Sequence, residues 1–407
     1  MIKKYLENLQ YIIILSIAIT LPYWSLYSIV TKLSVVLFIT TILLAKFNLA
    51  KIFINKIFLT LSIFILFTFA SALWSEVSME NNMEYVLNIL RFKYYFLLIP
   101  GLYFSSLNII QIKKIFLVSA LAPIGISLLY YSNYFGFTHI YSVMIGGDSN
   151  FFMHYLICNF FILSSSIYFC LSTIEAIKAK NFQKASISFF MSIFFTLSLI
   201  IDSQTTARLM VIIFLIILTI IPLLYLKKRN ALILIAFVFI SNSVFILNSQ
   251  KIISGYNKTI LAINNDKYTG SWGHRLGFAI VGLKIFKENP IIGRGISDVR
   301  ARTIEFAKDN PKYFIDDPNR HFHNEHINIL VEVGIVGYVL FLFFIYSLIK
   351  LKIKNILFNN FKNLFVISFL LLMLGEHYLS ILNTSLYFAF FIGLIILYKK
   401  QEDSNAI

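Results

Sequence analysis

The sequence predicts an all-α polytopic membrane protein with about twelve transmembrane helices and one large external loop that contains short helices. Of its 407 residues, 58% are hydrophobic and only 13% are charged. Soluble domains carry about 45–50% apolar and about 25% charged residues. The composition therefore excludes a soluble enzyme, a nucleic-acid-binding module and a disordered regulator.

Twelve apolar stretches are long enough to be membrane spans, because a spanning helix needs about 20 mostly apolar residues. They divide the chain into an N-terminal transmembrane bundle of about nine helices (1–248), a large loop (249–325), and C-terminal transmembrane helices with a short cytoplasmic tail (326–407). The predicted spans lie near residues 11–28, 31–47, 57–74, 94–111, 115–134, 151–173, 185–201, 208–226, 230–248, 326–349, 363–379 and 381–398.

The distribution of basic residues predicts the orientation. With the N-terminus inside, nineteen of the 35 Lys and Arg fall in cytoplasmic loops and four fall in short external loops or helix ends. The other twelve lie in the 249–325 segment, which is long enough to cross the membrane regardless of its charge. Both termini are therefore predicted to be cytoplasmic, and the long loop is predicted to be external.

The long loop is where the composition changes, and it is the natural place for chemistry. Apolar residues at helical spacing predict short amphipathic helices at 276–287 and 303–308. The chain has no phosphate-binding Gly-rich loop and no dinucleotide fingerprint. Because the cytoplasmic loops are short and basic, energy from a nucleotide is not expected.

A polar cluster at 320–326 stands at the outer mouth of the tenth predicted span and contains three of the seven histidines. A neutral imidazole is suited to taking a proton from a hydroxyl nucleophile. The simpler interpretation is a polar helix cap at headgroup depth. A zinc site from His321, His323 and Asp316 or Asp317 is a third interpretation, although the ligand spacing is not typical of zinc sites.

Two further kinds of charged residue stand near the outer membrane face. Glu332 lies in an apolar helix, where a carboxylate is costly unless it pairs or faces a wet interior, so a partner from the loop is expected. Arg208 opens the eighth span, and its guanidinium suits phosphate oxygens as well as snorkelling to lipid headgroups. The loop adds four more arginines: Arg275, Arg294, Arg300 and Arg302.

Four motifs between about residues 195 and 345 resemble those of the O-antigen ligase family, in the order of that family. They are 203–208, which ends at Arg208; 271–275 leading to 289–293; 297–302 around Arg300; and 321–325 followed by 332–337. The resemblance implies a polytopic glycosyltransferase of the bacterial inner membrane, active on the periplasmic face in lipopolysaccharide biosynthesis. The long loop would then be periplasmic.

The resemblance also implies substrates and a mechanism. The donor would be a polysaccharide on undecaprenyl diphosphate, and the acceptor would be a sugar hydroxyl of the lipid A-core. Arg208, Arg275 and Arg300 would bind the donor diphosphate and stabilise its developing charge. No nucleotide, metal or other cofactor would be needed, and no nucleic acid would bind.

The resemblance further implies that His323 is the catalytic base that takes the proton of the acceptor hydroxyl. Asn324 and Glu325 would orient this histidine, with His321 in a supporting role, and Glu332 would anchor the arginines.

Other functions stay open on the sequence. An O-antigen polymerase or a protein-glycosylating relative would use the same donor type with another acceptor. A polysaccharide transporter or flippase would be expected to carry ionisable residues near mid-membrane and broken helices in both halves. The sequence gives neither the sugars nor the oligomeric state.

Overall fold

The computed structural model describes residues 2–23, 26–44, 49–75, 92–136, 155–201, 205–225, 250–266, 268, 270–296, 298–313 and 322–405. In these ranges the secondary structure is helical and no strand occurs. Six helices there are long and apolar enough to cross a membrane. The all-α membrane class is confirmed, whereas the count of twelve spans and the external side of the loop stay predictions.

The helices of the N-terminal bundle follow one another along the first half of the chain. They are α1 (Ile2–Thr20), α2 (Tyr27–Leu44), α3 (Leu49–Phe53), α4 (Lys56–Ala70), α5 (Lys93–Tyr103), α6 (Ile109–Leu121), α7 (Ile124–Tyr134), α8 (Tyr155–Lys178), α9 (Phe182–Ile201) and α10 (Thr205–Tyr225).

The remaining described helices belong to the long loop and to the C-terminal bundle. They are α11 (Gln250–Asn264), α12 (Gly270–Glu288), α13 (Asp298–Asp309), α14 (Glu325–Lys350), α15 (Ile356–Leu372) and α16 (Leu382–Ser404). The two helices predicted in the loop are confirmed with wider bounds as α12 and α13. Helix α11 is not among the predicted elements.

Two predicted spans are wrong in their extent. The span 94–111 is interrupted, because the 11-residue α5 ends at Tyr103 after about 16 Å and α6 begins at Ile109. The span 363–379 is replaced by α15, which ends at Leu372 and is followed by a turn. Averaged hydropathy misses the end of a helix when the turn that follows it contains apolar residues, such as Met373 and Leu374 after α15. The predicted span 230–248 lies outside the described residues.

Asparagine side chains begin several helices and thereby position their first turns. Asn55 accepts hydrogen bonds from two backbone N–H groups of α4, and Asn355 accepts one from α15. Asn108 forms a reciprocal capping box with Gln111 at the start of α6. Asn324 caps α14 by accepting from the Ile327 N–H at 3.1 Å. Such caps satisfy donors that a helix start otherwise leaves without partners.

Helix α16 lies at the centre of the bundle. Buried residues make up 89% of its apolar window, against 33% for α9, whose apolar residues are therefore mostly not buried within the described bundle. Stacked rings join α16 to α15: Phe365 and Phe391 have centroids 3.8 Å apart, and Phe369 and Phe388 have centroids 4.0 Å apart. This packing fixes the two helices on either side of the 373–381 turn.

The long loop has a small apolar core of its own, and this core includes the beginning of α14. Phe278, Val281 and Phe322 are buried together with Ile327 and Val331. Because the last two belong to α14, burial of this cluster holds α12 against the beginning of that helix.

Helix α14 is interrupted at Gly334, whose backbone has φ 64° and ψ −167°. A continuous helix would pair the carbonyls of Val331 and Glu332 with the N–H groups four residues later. Those carbonyls instead accept from Arg294 and Gly295 of the loop, at 2.8 and 2.9 Å. The interruption is therefore filled by the chain that follows α12.

The chain that follows α12 also supplies carbonyl acceptors for the two N–H groups that lose their helical partners at the break in α14. The Ile335 N–H donates to the carbonyl of Pro290 at 2.9 Å, and the Val336 N–H donates to that of Ile291 at 3.1 Å. All four backbone groups at the break thus have partners. The 290–295 stretch, called the inserted loop below, replaces two helical hydrogen bonds by four bonds to itself.

Two glycines permit this close approach. Gly293 has φ 72°, and a Cβ there would stand 2.5 Å from backbone atoms of Glu332 and Gly334. At Gly334 a Cβ would stand 2.3 Å from the carbonyl oxygen of Ile291. Neither position has room for a side chain, and both need a backbone conformation that favours glycine.

We expect Gly293→Ala to lower the free energy of unfolding by about 3 kcal/mol, because the methyl group overlaps the α14 backbone and the φ value is strained. Thermal unfolding of the purified protein in detergent would measure the loss.

Gly136→Ala is the matched control for this substitution. Gly136 has φ 94°, and nothing lies within 4 Å of the position that an added methyl group would take. Backbone strain of about 1 kcal/mol is therefore its only expected cost. Equal melting temperatures for the two variants would contradict the insertion.

Candidate functional site

His323 lies directly before α14, at the junction of the long loop and the bundle. Its φ of 49° is in the left-handed region, which few residues with side chains adopt. The following residue, Asn324, caps α14 and also donates to the carbonyl of Leu374 at 3.2 Å. The residue that follows the histidine is thus fixed both to the start of α14 and to the 373–381 turn.

The side chain of His323 meets a buried carboxylate from that turn. Its Nδ1 lies 2.9 Å from both carboxylate oxygens of Glu376. Glu376 is 2% exposed, whereas His323 is 22% exposed. A charged carboxylate so deeply buried requires strong partners, and this imidazole is one of them.

His377 is the second imidazole on the same carboxylate. Its Nδ1 makes a short contact with Oε1 of Glu376, and its backbone N–H donates to that oxygen at 3.2 Å. The rings of His323 and His377 are 6.3 Å apart and nearly perpendicular. Glu376 therefore joins two histidines that are far apart in the sequence.

This arrangement suits proton transfer. An ionised carboxylate is only an acceptor, so each Nδ1 that contacts Glu376 carries a proton. In a neutral His323 ring, the lone pair is then on Nε2, and this nitrogen is the basic one. A carboxylate in this position fixes the tautomer and stabilises the imidazolium that forms when the ring takes a proton.

The same three residues could also hold a metal ion. One ligand atom from each of His323, Glu376 and His377 lies within 4.8 Å of the others. This set shares only His323 with the zinc set considered on the sequence. The other members of that set, His321, Asp316 and Asp317, lie outside the described residues. The prediction that no metal is needed stays untested.

Glu325 holds the 373–381 turn. Its carboxylate, 1% exposed, accepts from the Leu379 N–H and the Ser380 hydroxyl, both at 3.2 Å. Its own backbone N–H donates to the carbonyl of Met373 at 2.9 Å. Glu325 thus fixes the 373–381 turn, which carries Glu376, against the start of α14, and its predicted role in orienting His323 stays a prediction.

Helix α12 forms the loop side of the site. The ring of Phe278 lies 5.7 Å from that of His323, and the ring of His274 lies one helical turn before Phe278. Arg275 follows His274 in this helix and is partly buried. Of the three arginines predicted to bind the diphosphate, Arg275 is the one whose helix the structure brings directly against His323.

Arg208 and Arg300 lie in the first turns of α10 and α13, and their side chains lie outside the described part of the structure. Their convergence with Arg275 therefore stays a prediction. His321 also lies outside the described residues. Glu332 is 6% exposed and meets the inserted loop through its backbone carbonyl.

Two other loop arginines are engaged in ion pairs. Arg302 forms a two-point contact with Glu288 at 2.7 and 3.0 Å, and it also meets Glu305 at 2.6 Å. Hydrogen bonds to Glu288 raise the pKa of the Arg302 guanidinium further above its normal value. Arg294 lies 3.4 Å from Asp298 and 3.6 Å from Glu288. These contacts tie α12 to α13, so both arginines have a structural role.

The sequence interpretation misses Glu376 and His377. They fall inside the predicted span 363–379, which averaged hydropathy presents as uniformly apolar. An ionisable pair inside a predicted membrane segment is itself a sign of a functional site. That signal is present in the sequence, but only the structure places the pair against His323.

Comparison with known protein families supports the resemblance found in the sequence. Residues 191–342 match the model of a family described as O-antigen ligase. The match contains His323, α12 and the inserted loop, and it ends before Glu376. No curated protein matches the chain.

We expect Glu325→Ala to lower the free energy of unfolding by about 1–3 kcal/mol, because it leaves the buried Leu379 N–H without an acceptor. Glu325→Gln is the matched control, since its amide can accept from that N–H and donate to the Ser380 hydroxyl. Thermal unfolding in detergent would distinguish them. An alanine variant as stable as the glutamine variant would show that Glu325 does not brace the turn.

Proposed function

We propose that the chain, which matches the model of the O-antigen ligase family over residues 191–342, is an O-antigen ligase. It transfers a polysaccharide from undecaprenyl diphosphate to a sugar hydroxyl of the lipid A-core, on the periplasmic face of the inner membrane. The observation that carries this proposal is the pair of His323 and Glu376 at the mouth of a membrane-crossing helix.

His323 is the proposed general base. The acceptor hydroxyl attacks the anomeric carbon of the donor sugar while its proton passes to Nε2 of His323. The bond between that carbon and the diphosphate oxygen breaks, and the electron pair leaves with the lipid diphosphate. Glu376 stabilises the resulting imidazolium through Nδ1. A positioned base of this kind contributes about 10²–10⁴-fold to rate.

The leaving diphosphate needs positive charge close to its oxygens. Arg275 is proposed for this role because its helix packs on His323, and Arg208 and Arg300 are proposed with it from the family motifs. Guanidinium groups offer paired donors to phosphate oxygens. They stabilise negative charge as it develops, so the proposal includes no metal.

The supporting residues are proposed to hold the backbone segments around His323 in place. Asn324 and Glu325 hold the 373–381 turn against the start of α14. Glu332 is proposed to steady the arginine-bearing segment through the inserted loop. His321 keeps the supporting role that the resemblance implies.

A deletion strain tests the function directly. We expect a lipopolysaccharide gel to lose its whole polymer ladder while polymer accumulates on undecaprenyl diphosphate. A core band that carries a single repeat would indicate an O-antigen polymerase instead. An unchanged ladder, in a strain without a redundant enzyme, would contradict both enzymes and favour a transporter.

Complementation of that strain tests the base. We expect His323→Ala to lower transfer by about 10²-fold or more, and Glu376→Gln to follow it, since the amide cannot stabilise an imidazolium by charge. His326→Gln is the control, because His326 bonds to Leu370 and Tyr338 within the bundle. Wild-type transfer by His323→Ala, at normal protein level, would remove His323 from the mechanism.

A chelator tests the absence of a metal requirement. We expect EDTA to leave the transfer activity of the purified protein unchanged, because the proposed charge stabilisation comes from arginines. Activity that is lost in EDTA and restored by one divalent metal would refute this account. It would then point to His323, Glu376 and His377 as the metal-binding cluster.

A further inference from the structure

A large cavity of about 960 Å³ lies at the end of the bundle far from His323. It is bordered by α6, α8, α9 and the connection that leads into α15. Helix α14 runs 26 residues from Glu325, beside His323, to Lys350, a length of up to about 39 Å. Since the cavity begins at Lys354, just beyond that helix, it and His323 lie at opposite ends of a membrane span.

Four lysines from separate parts of the chain line this cavity. They are Lys113, Lys114, Lys184 and Lys354. The lining contains one carboxylate, Glu175, which already lies 3.7 Å from Lys178. Among the described residues, no carboxylate forms an ion pair with any of the four. The cavity thus gathers four positive charges against one negative charge.

Helix geometry adds to this positive potential. Three helices begin at the cavity, namely α6, α9 and α15. A helix start carries a partial positive charge from its aligned backbone dipoles. Asn181 caps α9 by accepting from the Lys184 N–H at 3.0 Å, as Asn108 and Asn355 cap the other two. The rim of the cavity is therefore favourable for an anion.

The wall beneath this rim is apolar. Leu117, Ile187 and Phe358 line it together with the aromatic rings of Tyr168 and Phe169. Leu117 and Ile187 are 41% and 57% exposed, so in the described part of the structure they leave apolar surface uncovered. A soluble anion would use the lysines and leave this wall uncovered.

We propose that the cavity binds an anionic phospholipid. The phosphate-bearing headgroup lies among the four lysines, and the acyl chains cover the apolar wall formed by α6, α8, α9 and α15. A basic rim above an apolar surface at a membrane face matches both parts of such a lipid. The site is separate from the proposed transferase chemistry and does not depend on it.

Native mass spectrometry of the full-length protein, released from nanodiscs that contain phosphatidylglycerol and phosphatidylcholine, tests the site. The wild-type protein is expected to retain phosphatidylglycerol preferentially. Replacement of all four lysines by Gln is expected to weaken this retention roughly tenfold or more, since each lysine contributes to the attraction. Equal retention of the two lipids by the wild-type protein would overturn the proposal.

Two control variants distinguish a specific lipid site from non-specific attraction by positive charge. Replacement of the four lysines by Arg is expected to preserve retention. Replacement by Gln of four exposed lysines outside the cavity is also expected to preserve retention. These four lysines are Lys3, Lys4, Lys258 and Lys308. If this second set lowers retention as much as the cavity set, non-specific charge explains the binding and the site is wrong.

Paired substitutions keep the test informative if the fourfold Gln variant does not fold. Lys113→Gln with Lys114→Gln, and Lys184→Gln with Lys354→Gln, are each expected to lose part of the preference. Full retention by both folded pairs would overturn the proposal.

Discussion

The exchange of backbone hydrogen bonds between the inserted loop and α14 is the constraint on which the site depends. Unpaired backbone groups at membrane depth are costly, and four of them at the break in α14 are satisfied only when the loop is present. The loop leads directly out of α12, so its insertion fixes the end of the helix that carries Phe278 and Arg275. A further bond, from the Ile296 N–H to the Ser71 hydroxyl at 3.1 Å, joins the same segment to the N-terminal bundle.

The transmembrane bundle contributes the other half of the site. Stacked aromatic rings hold α15 and α16 together, and the turn between them presents Glu376 to His323. Glu325 spans the junction by accepting hydrogen bonds from that turn. The imidazole and its carboxylate therefore meet because the helices on both sides are rigid, which is the usual requirement for a positioned base.

The sequence is sufficient for the all-α membrane class and for the two helices predicted in the loop, whereas the choice of His323 as the base stays a prediction. The motifs at 289–293 and 332–337 are far apart in the sequence, although the structure shows that their backbones bind each other. Pairings of this kind depend on backbone contacts between distant residues, and periodicity carries no information about them. Glu376 is missed for a related reason, because a hydropathy window hides two polar residues among apolar neighbours. Arg294 and Arg302 look available for a ligand in the sequence, and only the structure locates their carboxylate partners.

The position of Glu376 has a consequence for the design of chimeras between proteins that match the same family model. The segment that matches the family, 191–342, carries the imidazole but not the carboxylate 53 residues later. A chimera that exchanges this segment joins the histidine of one parent to the carboxylate of the other. The surface that has to be compatible in such a hybrid is the 373–381 turn against residues 323–325, so the sensible boundary for grafting lies beyond the end of the matched segment.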